Sequence, residues 1–287
     1  MEAVVEYFSD MPKAHRSLIL FGGLFFFLMV ESGLPFFKNK YNKVSHTGLN
    51  VFFTLTTVLV NLGMAGILLF AASWTTNNGF GIVQWAGLMD VTNAPKLIAG
   101  IIIGVLLMDF LGSWLPHFVE HKITFLWQFH VVHHSDMNVD ASTANRHHPG
   151  ESVLRFLFTT AAVFIVGAPF WLVMIYQSMS AIMSQFSHSN MAFHGKLDKV
   201  MRYVFCTPAM HRVHHHYRQP YSDTNYGNIF SLWDRIFGTY VEVDNSKLVY
   251  GVDTYMNEKD INNPLFLLKI PFAGYKPTPK HEDAEQL

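Results

Sequence analysis

Cysteine is nearly absent: Cys206 stands alone in 287 residues. That excludes an internal disulfide, a cysteine-rich zinc site and an iron–sulfur cluster ligated within this chain. Charge is scarce too. Only 14% of residues are Asp, Glu, Lys or Arg, against about 25% in ordinary soluble domains. A formal net charge of −1 gives no electrostatic case for nucleic acid as a partner. The sequence shows no fixed-period repeat, no low-complexity tract and no flavin or dinucleotide fingerprint. Apolar residues are plentiful: 50% are hydrophobic, 26 are Phe and the mean hydropathy is +0.20. This is the composition of a membrane protein.

A bilayer crossing takes about 20 mostly apolar residues, and three runs qualify: Ser17 to Phe37, Asn50 to Ala72 and Leu97 to Pro116. The first lacks a small-residue cleavage site and reads as an anchor rather than a signal peptide. A fourth stretch, Val153 to Phe186, is too long for one crossing and is broken by Gly167-Ala168-Pro169, which favours a turn. It predicts a helical hairpin that enters the bilayer and returns on the same side. Lys38, Lys40 and Lys43 lie between the first two runs, whereas Ser73 to Pro95 holds no Lys or Arg, so the first loop is expected to be cytoplasmic. Lys13 and Arg16, placed outside, run against that assignment. The expected fold is an all-α integral membrane protein with three spans, a helical hairpin and a cytoplasmic histidine-rich cap. Its expected divisions are residues 1–96 (membrane helices), 97–243 (the histidine-bearing unit) and 244–287 (a cytoplasmic segment). The last dozen residues read as a polar, disordered tail.

Histidine remains as the abundant metal ligand. Thirteen of sixteen histidines fall between His117 and His216, and the span count puts all of them on one membrane face. At about 100° per helical residue, positions i, i+3 and i+4 share a narrow arc. His117 and His121, then His130, His133 and His134, then His211, His214 and His215 therefore form three convergent sets. His216 lies about 140° from His211 and falls outside. A lone histidine is ordinarily satisfied by a local hydrogen bond, but burying three such sets without a ligand is costly. Eight histidines overfill one zinc ion, which takes four ligands; they suit two metal ions, and imidazole suits iron. His188, in SQFSHSN at the foot of the hairpin, is a ninth candidate on the same side. Two iron ions in a nearly all-nitrogen shell beside a bilayer suggest dioxygen chemistry on an acyl chain. Asp109, within the third span and at helical spacing from His117 through Ser113, is a functional candidate. It either makes a structural hydrogen bond or orients a ligand histidine.

The series WLPHFVEH, FLWQFHVVHHSD, NRHHPGE, QFSHSN, TPAMHRVHHH, NYGN and LWDRIFGTY resembles the sterol desaturase/fatty acid hydroxylase superfamily of membrane diiron enzymes, and within it the bacterial and alkylglycerol monooxygenase-like branch. The likeness covers about Leu97 to Val241. It implies an O2-dependent lipid hydroxylase or desaturase holding two iron ions on His117, His121, His130, His133, His134, His188, His211, His214 and His215. His148, which matches a recurrent family histidine, is a possible tenth ligand; His194 has no clear counterpart. Asp109, Asp223, Asn225 and Asp234 are implied as support residues, with Asp109 and Asn225 entered as catalytic candidates. A lipid substrate and an external electron donor of the cytochrome b5 or ferredoxin type are implied partners. A bacterial inner membrane is the expected location, or the endoplasmic reticulum in a eukaryote. Phe118 stands where the family often has Arg, and Gln128 where a basic residue is common, which bears on head-group contacts rather than on the metals.

Other readings compete. HHPGE resembles a haem-binding fragment, but no domain-sized unit surrounds it. HFVEH matches the H-x-x-E-H of zinc peptidases, with Glu120 as general base, yet it leaves seven candidate histidines without a role. A membrane metal transporter or sensor would line a path with polar residues, whereas only Asp109 and Glu31 lie in the spans.

Overall fold

The structure, a computed structural model, describes residues 1–277; the polar tail expected at the C-terminus lies, from residue 278 on, outside the described residues. The chain is all-helical, and among the described residues backbone pairing outside helices is limited to isolated bridges such as Pro35 with Met191. Four helices are long and apolar enough to cross a membrane: Lys13–Gly33, Lys43–Trp85 taken with its short continuation, Ala94–Lys122 and Pro149–Val166. They make this an integral membrane protein. The last of them is the first arm of the expected hairpin, and the second arm is Phe170–His188.

Each helix starts and stops for a local reason. Asn42 and Asn93 cap the second and third spans, accepting from the backbone N–H of Ser45 and Lys96. The hairpin turns where Gly167 takes the left-handed conformation at φ +75 and Pro169 opens the second arm at an N-cap. The second span, a helix over Lys43–Asn77, is longer than the apolar run suggests because its first turns carry polar residues that are buried rather than solvated: His46, Asn50 and Thr54. The third span contains a wide turn of π-helix at Phe110–Trp114, a feature common at functional sites.

The second span packs on the first hairpin arm, and the third span packs against both arms. Leu68, Leu97, Val105, Met108, Val163 and Leu172 form the core between them. The cap sits at one end. Thr124–His134 folds back immediately after the third span, and the connector Ala141–Asn145 packs against the second span and the second arm. The segment from residue 196 to 243 returns over the same end and includes the helix Pro208–His214, which packs on the second arm. A buried polar clamp fastens this connector. His46 reaches both Asp136 oxygens at 2.9 Å, Asn50 donates to Ser142 at 2.9 Å, and Arg146 donates to the Val132 and Ile261 carbonyls. Glu31, in the first span, accepts from Lys43 at 2.7 Å and from the backbone of Ala141 and Asn190. Its carboxylate ties elements together and lines no path.

Candidate metal centre

Two groups of histidines meet at the capped end of the bundle. One consists of His117, His121, His130, His134 and His214; the other of His133, His188, His211 and His215. Within each group one nitrogen per ring lies within 4.8 Å of every other. These are the nine histidines singled out in the sequence. The groups adjoin, with ring centroids of His134 and His215 4.8 Å apart and those of His133 and His130 5.2 Å apart. The third span supplies the first pair, the helix after it the next three, the foot of the hairpin His188, and Pro208–His214 with its following residue the rest.

Five of the nine rings have their outer nitrogen fixed. Nδ1 of His117 lies 2.8 Å from the Tyr226 carbonyl, that of His214 2.7 Å from the Thr224 carbonyl and that of His188 2.7 Å from the Ser184 carbonyl. Carboxylates serve His130, through Glu151 at 2.8 Å, and His121, through Asp223 at 3.1 Å. Each such Nδ1–H donates, so each Nε2 turns a lone pair inward. The inward nitrogens find no donor. Nε2 of His117, His130 and His214 is buried without any partner, and others face each other: His121 and His134 at 3.1 Å, His188 with His133 at 3.2 Å and with His211 at 3.0 Å. Two nitrogens bound about 2.1 Å from one ion at adjacent positions stand about 3.0 to 3.4 Å apart. Burial also pushes the pKa values of His130, His133, His134, His211, His214 and His215 well below the ordinary histidine range, with neighbouring histidines adding to the effect. Neutral rings with buried, unpaired, converging lone pairs could hold a cation, and the two groups of five and four could each hold one.

A further layer holds the rings. Arg155 lies between Glu151, at 2.9 Å, and Glu120, at 2.6 Å, so the glutamate that orients His130 is itself anchored. Asp223 accepts from Lys122 at 2.7 Å as well as from His121. Although burial opposes it, these two partners hold the Asp223 carboxyl at about 2. Asp136, two residues beyond His134, belongs to the His46 clamp.

The remaining candidates lie elsewhere. His148 is not brought to either group: it caps the first hairpin arm, its Nδ1 accepting from Gly150 N–H at 3.0 Å. Its neighbour His147 faces the centre instead, its ring 4.9 Å from that of His133. His194 is bonded to the Ala192 carbonyl, and His216 accepts from Val249 N–H; neither joins a group. Asp109 touches no histidine. The π turn lies between it and His117, and the carboxylate accepts from the backbone of Ile229 and Phe230 and from the Trp233 indole. Asn225, at φ +53, braces the loop by bonding the Met210 and Val241 carbonyls. Asp234 holds the backbone N–H of Tyr226 and Gly227 and the Trp114 indole, and so acts on His117 through Tyr226. Sequence reasoning missed Glu151, Arg155 and His147. Their signal was the HHPGE stretch, where a charged residue and a second histidine adjoin a membrane helix.

Comparison with known proteins follows this geometry. Residues 101–239 match the family model described as fatty acid hydroxylase. The ornithine lipid hydroxylase OlsE of Rhizobium tropici is 27% identical over 141 residues, which are 49% of this chain and 41% of that protein. The alkylglycerol monooxygenase of Homo sapiens is 30% identical over 156 residues, 52% of this chain and 32% of that protein. A cholesterol 25-hydroxylase-like protein of Danio rerio is 27% identical over 154 residues, 53% of this chain and 54% of that protein. The matched part thus spans between about a third and about half of these relatives' lengths. No solved structure matches. Residues 101–239, with all nine converging histidines, match the fatty acid hydroxylase model, and the relatives they resemble are those the motif series in the sequence leads one to expect.

Proposed function

We propose that this protein is a membrane oxidoreductase that hydroxylates a lipid C–H bond with dioxygen, using two iron ions held by the nine histidines. The observation that carries the proposal is the pair of adjacent groups, five and four rings, whose inward nitrogens are buried and lack donors. The names of the relatives, a lipid hydroxylase and a monooxygenase among them, favour hydroxylation over desaturation. Bound in these groups, iron would supply dioxygen activation and oxidation of the C–H bond. The balance is one O2, two electrons and two protons per C–H converted to C–OH, with one water released. Electrons come from a separate donor of the cytochrome b5 or ferredoxin type, docking on the cap, whose cytoplasmic position is supported by the lysines between the first two spans.

The protein's own residues keep the site ready. Glu151, Asp223 and the carbonyls of Ser184, Thr224 and Tyr226 fix tautomer and ring orientation. The apolar helices of the bundle keep water away from the reacting carbon. The peptidase reading loses ground because Glu120 is buried against Arg155 at 2.6 Å rather than free to activate water. The test combines metal analysis with 18O2 incorporation into lipid. About two irons per chain and a gain of one 18O per product are expected; a single zinc with no iron, and no labelled lipid, would refute the proposal.

A further inference from the structure

We propose that residues 197–204 and 232–237 form a lobe whose outer face is immersed in the hydrocarbon of the bilayer, so that the histidine-bearing cap carries a membrane anchor of its own. These residues lie outside the four helices able to cross a membrane, and the inference stands whether or not the protein oxidises lipid. Large apolar side chains are turned outward there. Val200, Tyr203 and Ile236 are 67%, 69% and 59% exposed, and Leu197, Val204 and Phe237 are exposed with them. Among the described residues from 205 to 231, which include three of the converging histidines, none exposes a large apolar side chain. Outward apolar surface is thus a property of the lobe and not of the cap at large, and a patch of this kind marks a contact surface.

The two stretches are one unit. Ser231 N–H donates to the Val204 carbonyl, the Ser231 hydroxyl donates to that of Arg202, and Phe205 stacks on Phe230 with ring centroids 5.8 Å apart. This unit lies along the third span. Tyr203, Val204 and Leu232 line one apolar cavity of about 410 Å³ together with Ile101, Ile102 and Leu106 of that span. The Trp233 indole donates to Asp109 at 3.1 Å, and the Phe237 ring stacks on those of Phe110 and Trp114 at 5.4 and 4.7 Å.

Depth follows from helix lengths. The hairpin arms have 18 and 19 residues, about 27 to 29 Å at the helical rise, which is close to the ~30 Å thickness of bilayer hydrocarbon. They run between the Gly167 turn and the level of Glu151 and His188, so the histidine groups stand near one edge of the hydrocarbon layer. Ile102 and Leu106 lie about 22 and 16 Å along the third span from His117, well inside that layer. Ile102 is 55% exposed on a bilayer-crossing helix, and the lobe extends the same face. That continuity makes hydrocarbon, rather than a second copy of the chain, the fitting occupant. Lys196 and Lys199, exposed on the short helix that bears Leu197 and Val200, can reach head groups from beside those apolar side chains. Immersion also bears on the centre. Asp234, within the lobe, accepts from the Tyr226 N–H, and the Tyr226 carbonyl is bonded to His117, so the depth of the lobe sets the height of the histidines relative to the bilayer.

The test places nitroxide labels on the full-length protein in phospholipid nanodiscs. Native Cys206 is buried, and wild type treated with the label gives the background. Labels go on Val200→Cys, Val204→Cys and Ile236→Cys, with Ile102→Cys as the lipid-facing reference and Glu258→Cys, in the exposed pair Glu258-Lys259, as the water-facing one. Collisions with oxygen, which partitions into hydrocarbon, are compared with those of a nickel chelate, which stays in water. The three lobe labels should show the Ile102→Cys pattern, with oxygen access retained and nickel access lost, and Glu258→Cys should show the reverse. Nickel access at any of the three equal to that at Glu258→Cys would overturn the anchor. So would loss of access to both reagents with spin–spin broadening that disappears on dilution with unlabelled protein, because a second copy would then cover the face. Three separate positions, each on an exposed side chain, keep the answer independent of any one substitution.

Discussion

At the scale of single residues, the centre separates neighbours that look alike in sequence. His188 lies outside every histidine box, yet its Nε2 stands 3.0 to 3.2 Å from those of His211 and His133. His216 follows directly on His215 but is bonded to the backbone at Val249. His188→Ala is accordingly expected to cost about half the iron and all lipid oxidation, whereas His216→Ala should keep both within about twofold; metal analysis and product mass spectrometry distinguish the two. Glu151 offers a sharper case because, of the nine converging histidines, it bonds His130 at the far nitrogen. Removing a carboxylate that orients a ligand histidine typically costs 10- to 100-fold in metal affinity. Glu151→Ala should therefore weaken iron binding by that range, and Glu151→Gln, which keeps an acceptor for His130 Nδ1, by less. Competition against a chelator measures both, and equal affinity in wild type and Glu151→Ala would show that Glu151 does not hold the ring.

Among the elements, the hairpin turn depends on an intimate contact. Gly167 sits at φ +75, and a Cβ added there would lie 2.3 Å from the Phe80 carbonyl oxygen. Gly167→Ala should destabilise the protein by more than about 1 kcal/mol through the left-handed backbone alone, with the clash adding to that. A fall in thermal midpoint beyond several degrees is expected, and an unchanged midpoint would show that the turn relaxes freely. This turn was legible in the sequence, as were the spans, because hydropathy and Gly-Ala-Pro act locally. Eight of the nine converging histidines were legible for the same reason: i, i+3 and i+4 spacing fixes an arc before any tertiary contact forms, whereas His188 was reached only through the hairpin topology and the family likeness. What was hidden depends on partners distant in the chain. The second span begins earlier than its apolar run because His46 and Asn50 find Asp136 and Ser142. Asp109 was expected beneath His117, but the π turn at Phe110–Trp114 intervenes and the carboxylate serves residues 229–233 instead. Nor does local spacing say which of His147 and His148 faces inward. A cap on the helix start turns His148 away, and that choice is made by the fold.

For the whole molecule, the proposed metal centre would be a stability element as well as a reactive one, since its two histidine groups join the third span, the hairpin foot and the cap. An unfolded chain would carry its histidines at the ordinary value near 6.5. In the folded protein, burial holds His130, His133, His134, His211, His214 and His215 well below that. Below pH 6.5 the unfolded state therefore binds more protons than the folded one, and stability rises with pH wherever that holds. The contribution of these six rings is fully present above about pH 7.5 and is lost progressively as pH falls through 6.5 and on toward the depressed folded values. Bound metal stabilises the folded state further, because it binds that state preferentially, and protons compete with it for the same nitrogens. Thermal midpoints of the iron-loaded protein in detergent should thus be level between pH 7.5 and 8.5 and fall steadily from 6.5 to 5, with iron released over the same interval. Chelation at pH 7.5 should lower the midpoint without acid, by leaving the lone pairs of His121 and His134, and of His188, His133 and His211, facing each other unpaired. A midpoint that rises on acidification, or one indifferent to chelation, would mean that the buried rings are satisfied without metal and that the two groups are packing rather than ligand sets.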